Sequence, residues 1–149
     1  MKAPSSKKTI VIIAEDDPDD RLLIEDALKD ACQPAVAVRF VQDGAELLDY
    51  LNHRGKYGKL SDFPLPELVL LDLNMPKRSG LEVLEEIKQD PFLRTIPVVV
   101  LTTSNAPEHI SRSYELGGNG FITKPNTYTE LVEMMGNLDR YWFRTVELP

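Results

Sequence analysis

The stretch Glu67-Leu68-Val69-Leu70-Leu71-Asp72-Leu73 sets a single carboxylate inside an otherwise apolar run. A run this short and continuous reads as a strand buried on both faces. A lone ionised group there is costly, so a purely structural Asp72 is the weaker reading. The same pattern recurs on either side. Thr9–Ala14 (TIVIIA), Val36–Val41, Pro97–Leu101 (PVVVL) and Gly120–Thr123 read as four further strands.

Helical patterns separate them. Residues 19–31 follow Pro18 with acids at the positive end of a helix, and Leu22, Leu23, Ala27 and Leu28 recur near helical spacing. Asp43-Gly44 reads as a turn before a helix over Ala45–Leu51. Asn74–Gly80 reads as a loop before a helix over Leu81–Gln89. Pro107–Leu116 is a weaker helix closed by Gly117-Gly118, and the last helix is expected from Thr127 to about Phe143. The segment from His53 to Pro66 has loop chemistry and is long for a compact α/β connection.

Five strands alternating with five helices imply a doubly wound α/β domain, a mainly parallel sheet covered on both faces. Sites in that architecture gather beyond the carboxyl ends of the strands. The first strand delivers Glu15 and Asp16 to that edge, the third Asp72, the fourth Thr102 and Thr103, and the fifth Lys124. Three converging carboxylates repel unless a cation neutralises them, and an all-oxygen set with open positions suits Mg²⁺. Lys124 and the Thr102 hydroxyl add a charge and a donor suited to a phosphoryl group. Taken alone, the acids of Glu15–Asp20 suit a capped helix start, Lys124 an ordinary loop, and Thr102 a strand end. Their joint arrival at one edge favours the functional reading.

Composition narrows the field. The 149 residues, 42% of them hydrophobic, suffice for one core, and 24 acidic against 17 basic residues give a formal charge of -7. That charge disfavours nucleic acid, so protein partners are expected. Cys32 is the sole cysteine, which fits a reducing compartment. The apolar run behind the basic start is too short for a signal-peptide core, and no run reaches the roughly 18 residues of a membrane span. His53 and His109 show no metal-ligand spacing and read as surface residues. A glycine-rich nucleotide loop and a G-x-S-x-G elbow are both missing.

The acidic pair Glu15-Asp16, the run Leu71-Asp72-Leu73-Asn74-Met75-Pro76 with Gly80, Leu101-Thr102-Thr103-Ser104, and Lys124-Pro125 together resemble the response-regulator receiver family from about Thr9 to Asn137. The resemblance implies a flavodoxin-like, CheY-like fold with strand order 2-1-3-4-5. It implies Asp72 as phosphoacceptor, with Lys124 pairing first with Asp72 and then with the phosphoryl oxygens. Asp16 becomes a direct ligand of Mg²⁺ or Mn²⁺, Glu15 a water-mediated one, and Asn74 a backbone-carbonyl ligand. Thr102 and Phe121 become the switch pair, Asn74 and Ser104 flank the site, and Lys124-Pro125 is the candidate cis peptide. A Glu at position 15 departs from the commoner Asp. Asp17 leaves the register open, because a strand ending one residue later makes Asp16 and Asp17 the pair.

The long loop, the LTTSN segment and the ending Tyr141-Trp142-Phe143 with Thr145–Pro149 resemble the small response regulators paired with bacterial phytochrome histidine kinases. That resemblance implies a sensor-kinase partner and a homodimer through the last helix and tail, while the lone Cys32 points to the cytoplasm and the receiver resemblance to signalling without enzymatic turnover. The expected layout is a flexible N-terminus over 1–8, a receiver domain over 9–143 and a tail over 144–149. Two competing readings are a non-phosphorylated pseudo-receiver, against which the intact Glu15, Asp16, Asp72, Thr102 and Lys124 argue, and an aspartate-nucleophile phosphatase. The phosphatase needs a second Asp where Asn74 stands.

Overall fold

The computed structural model describes residues 9–31, 36–59 and 62–149. The expected flexible segment 1–8 and Cys32 lie outside the described residues. β1 (Thr9–Ala14) lies between β2 (Val36–Val41) and β3 (Leu68–Leu71), and β4 (Val98–Thr102) and β5 (Gly120–Thr123) extend the sheet beyond β3. All pairings are parallel, in the expected order 2-1-3-4-5. Every residue of β3 and β4 is buried, as continuous apolar runs covered on both faces require.

Strand alternation splits the core in two. Ile12, Ala14, Val69, Leu71 and Val98 pack on one face against Leu47, Val83 and Ile87 of α2 (Gly44–Leu51) and α3 (Gly80–Gln89). Val11, Ile13, Leu70, Val99 and Leu101 pack on the other against α1 (Pro18–Ala31) and α5 (Tyr128–Leu138). Helix starts follow side-chain chemistry: Asp43, Ser79 and Thr127 each accept from the backbone N–H of a Glu three residues on. α4 (Pro107–Glu115) has Pro107 at its start instead.

Two sequence expectations need correcting. α1 buries Ile24, Ala27 and Leu28 but leaves Leu22 60% and Leu23 45% exposed, because docking beside α5 rotates its apolar face. The last helix ends its α register at Leu138 and continues as a π turn over Asp139–Phe143. That turn sets residues five apart on one face, so buried Asp139 meets Arg144 at 3.0 Å. The long loop after α2 is packed down, since Tyr50, Tyr57 and Phe63 meet tilted or edge-on with centroids 5.0–5.9 Å apart. Tyr50 donates to the Pro64 carbonyl at 2.9 Å and Tyr57 to Glu46 Oε1 at 2.6 Å, so both phenols are satisfied.

Among the described residues no helix is long and apolar enough to cross a membrane.

Candidate functional site

The sheet order reverses between β1 and β3, and the residues just beyond those strands stay hydrogen-bonded to the sheet. Glu15 donates its N–H to the Val41 carbonyl at 3.0 Å, and Asp72 donates to the Ala14 carbonyl at 3.2 Å. Those two bonds hold both side chains at the carboxyl edge, Glu15 2% and Asp72 7% exposed. Gly80 closes the β3–α3 loop against the Asp72–Leu73 backbone, where a Cβ would lie 2.4 Å from the Asp72 carbonyl oxygen. A side chain there would displace the site, so glycine is required for a close approach rather than for a turn.

The Glu15, exposed Asp16 and Asp72 carboxylates offer oxygens within 4.8 Å of one another. Asp17 turns elsewhere, its Oδ1 accepting the Asp19 and Asp20 N–H groups at 2.8 and 3.3 Å at the start of α1. The geometry therefore groups Asp16 with Glu15 and Asp72, and makes Asp17 a helix cap. Asn74 enters through its backbone N–H, which donates to Asp72 Oδ1 at 3.0 Å.

Lys124 crosses from the end of β5 into this cluster. Its N–H donates to the Thr102 carbonyl at 2.7 Å, which fixes the backbone at the site's edge. Its peptide to Pro125 is trans, against the expected cis bond, so this anchor rather than isomerism directs the side chain. The ammonium donates to Glu15 Oε1, to Asp72 Oδ2 at 3.1 Å and to Asp20 Oδ2 at 3.2 Å.

Four carboxylates (Glu15, Asp16, Asp20, Asp72) thus face one ammonium, an excess of three negative charges (4 − 1) when all are ionised. Burial pushes the Glu15 carboxyl up to about 7 against the opposing hydrogen bond and charge of Lys124, and the charge of Asp72 adds to the rise. Burial opposes the charge on Lys124, but the hydrogen bond to Glu15 and the charge of Asp72 outweigh it and raise its pKa. An all-oxygen cluster with surplus negative charge and one exposed member fits a hard divalent cation.

Thr102 completes the edge. It is fully buried, and its Oγ1 has no hydrogen-bond partner within the protein. Such orphaned hydroxyls are uncommon in folded proteins, and this one leaves a donor at the site's edge open to a bound group or to water. The β4–β5 register pairs Val100 with Phe121 and Thr102 with Thr123, so half-buried Phe121 shares a sheet face with Thr102.

Two contacts escaped the sequence reading. Asp20 reaches Lys124 from the first turn of α1, a pairing across 104 residues that no local pattern signals. His109, expected as a surface residue, is half-buried with Nδ1 2.6 Å from Ser104 Oγ, which ties the loop after Thr102 to α4. His53, also expected at the surface, is half-buried with φ +55°.

Comparisons with known proteins converge on one group. Residues 11–136 match the model of the response regulator receiver domain. Over 149 residues, all of this chain and 99% of the relative, the sequence is 38% identical to response regulator Rcp1 of Synechocystis sp.. The crystal structure of the Mn²⁺-bound form of Rcp1 superposes with a TM-score of 0.85 over 95% of this chain and 99% of that one. The phosphorylated cyanobacterial phytochrome response regulator RcpA is 40% identical, with a TM-score of 0.87 over the same shares.

Proposed function

Because this chain belongs to the response regulator receiver family, as a receiver domain of two-component signalling close to phytochrome response regulators, we propose that Asp72 is its phosphoacceptor. The observation that carries this is the meeting of the Asp72 carboxylate, the Lys124 ammonium and the unpartnered Thr102 hydroxyl at the ends of β3, β5 and β4. The donor is the phosphohistidine of a sensor histidine kinase, a bacterial phytochrome by the likeness to Rcp1 and RcpA.

An Asp72 carboxylate oxygen forms a bond to phosphorus as the P–N bond of phosphohistidine breaks and the imidazole leaves. The transition state of such a transfer is loose, so positioning and electrostatics do most of the work. The Asn74 N–H and the Lys124 ammonium fix the two Asp72 oxygens. A divalent cation, Mg²⁺ or Mn²⁺, held by Glu15, Asp16, Asp72 and the Asn74 carbonyl would neutralise charge on the phosphoryl oxygens. Lys124 then follows the phosphoryl group, and Thr102 supplies its free hydroxyl to it.

Drawing Thr102 toward the site frees space on the face it shares with Phe121 and biases the surface around β4, β5 and α4 between two arrangements. Output is a change in protein contacts, not turnover of a free substrate, and the setting is the cytoplasm where the kinase presents its phosphohistidine. A homodimer through α5 and the tail is supported by Tyr141, 55% exposed and stacked edge-on with Trp142 at 5.4 Å. Light scattering at high concentration tests it, and a monomeric mass contradicts it.

The transfer itself is tested with a purified, radiolabelled phytochrome kinase core. Label passing to the wild-type chain but not to Asp72→Asn supports the proposal. Label retained on every competent kinase tried, or passed equally to the variant, contradicts it.

A further inference from the structure

A lysine ammonium has three N–H donors, and in this chain Glu15, Asp72 and Asp20 occupy all three. A phosphoryl oxygen that needs one of them must displace a partner. The three are not equally easy to displace. The side chain of Glu15 is 2% exposed, and releasing it would leave a buried carboxylate without its counter-charge. Asp72 is the group that carries the phosphoryl. Asp20 is 38% exposed and 3.2 Å from the ammonium, so water can solvate it once released. It also lines a pocket of about 100 Å³ with Leu23, Lys124 and Thr127, which leaves room for its side chain to swing away.

We infer that Asp20 is a positioning residue. It holds the third donor of Lys124 while Asp72 is unmodified and yields it to a phosphoryl oxygen, so that its negative charge lowers the site's affinity for the phosphoryl group. This rests on Asp72 being the phosphoacceptor. Removing the competing charge strengthens binding of a phosphoryl mimic, and because the pair is part-exposed the gain is roughly two- to fivefold.

The test measures the affinity of the full chain for beryllofluoride at saturating Mg²⁺ by calorimetry, and the Mg²⁺ affinity in parallel. Asp20→Asn should bind beryllofluoride roughly two- to fivefold more tightly with little change in Mg²⁺ affinity, while Asp20→Glu should stay near wild type. Asp19→Asn removes an exposed charge from the same helical turn without a Lys124 contact, and should leave beryllofluoride affinity unchanged. Equal affinities for Asp20→Asn and wild type overturn the inference, as does an equal gain in Asp19→Asn or a change confined to Mg²⁺. A wild type that binds no beryllofluoride overturns the phosphoacceptor reading itself and this inference with it.

Discussion

Lys124 Nζ lies 3.1 Å from Asp72 Oδ2, joining the ends of β5 and β3, which are not neighbours in the sheet. β4 stands between them and brings Thr102 to the same edge. An ammonium, a carboxylate and an unpartnered hydroxyl are thereby fixed by three parallel strands, and the rigidity of the sheet becomes the precision of the site.

Lys124→Met removes the only ammonium among the described residues that faces Glu15 and Asp72. The carboxylates left behind repel, so the metal-free variant should lose about 1–3 kcal/mol at pH 8. Mg²⁺ should recover much of that loss. Urea denaturation with and without Mg²⁺ checks both, and a variant as stable as wild type without metal would refute the assigned role.

pH should act through Glu15. Its folded pKa of about 7 lies above its ordinary value of 4.5, so the folded state holds the proton more tightly than the unfolded chain. The stability this contributes is present below about 4.5 and is lost as pH rises through 7. A bound cation needs the carboxylate ionised, so the rise in Tm on adding Mg²⁺ should be larger at pH 8 than at pH 5.5. Glu15→Gln should flatten that difference, and an Mg²⁺ shift independent of pH in the wild type would contradict this.

Thr102→Val keeps the volume and deletes a buried hydroxyl that has no partner. Stability should hold or rise by about 1 kcal/mol, since the desolvation cost of a buried, unpaired hydroxyl is removed with it. The additional stabilisation that beryllofluoride gives the wild type should shrink. Thermal melts with and without the mimic decide, and a marked loss of stability in its absence would mean that the hydroxyl is already bonded.

Gly80→Ala should damage fold and site together. The added Cβ would lie 2.4 Å from the Asp72 carbonyl oxygen and 2.6 Å from Leu73 Cα, both backbone atoms that cannot turn aside. A cost of about 1–3 kcal/mol is expected, with weaker Mg²⁺ binding as Asp72 shifts. Urea denaturation and calorimetry test the two effects, and unchanged values in both would show that the loop is soft.

Much of this arrangement is legible in the sequence, for physical reasons. Strands β1, β3 and β4 are continuous apolar runs of a kind that parallel sheets bury, so their ends, and with them Glu15, Asp72 and Thr102, can be located to within about a residue. What was not legible depends on tertiary docking. Leu22 and Leu23 suggested an apolar face for α1, yet packing beside α5 chose Ile24 instead. The π turn after Leu138, with the Asp139–Arg144 pairing it permits, shows in the sequence only as two charges five residues apart. The Asp20–Lys124 and Ser104–His109 contacts depend on where loops settle, and helical or strand periodicity carries no information about that.

The central claim is that Asp72 takes the phosphoryl group, and intact-mass spectrometry after incubation with acetyl phosphate and Mg²⁺ tests it most directly. The wild type should carry one phosphoryl adduct, abolished by chelator and missing from Asp72→Asn. An adduct of equal yield on Asp72→Asn, or one indifferent to chelator, would contradict it.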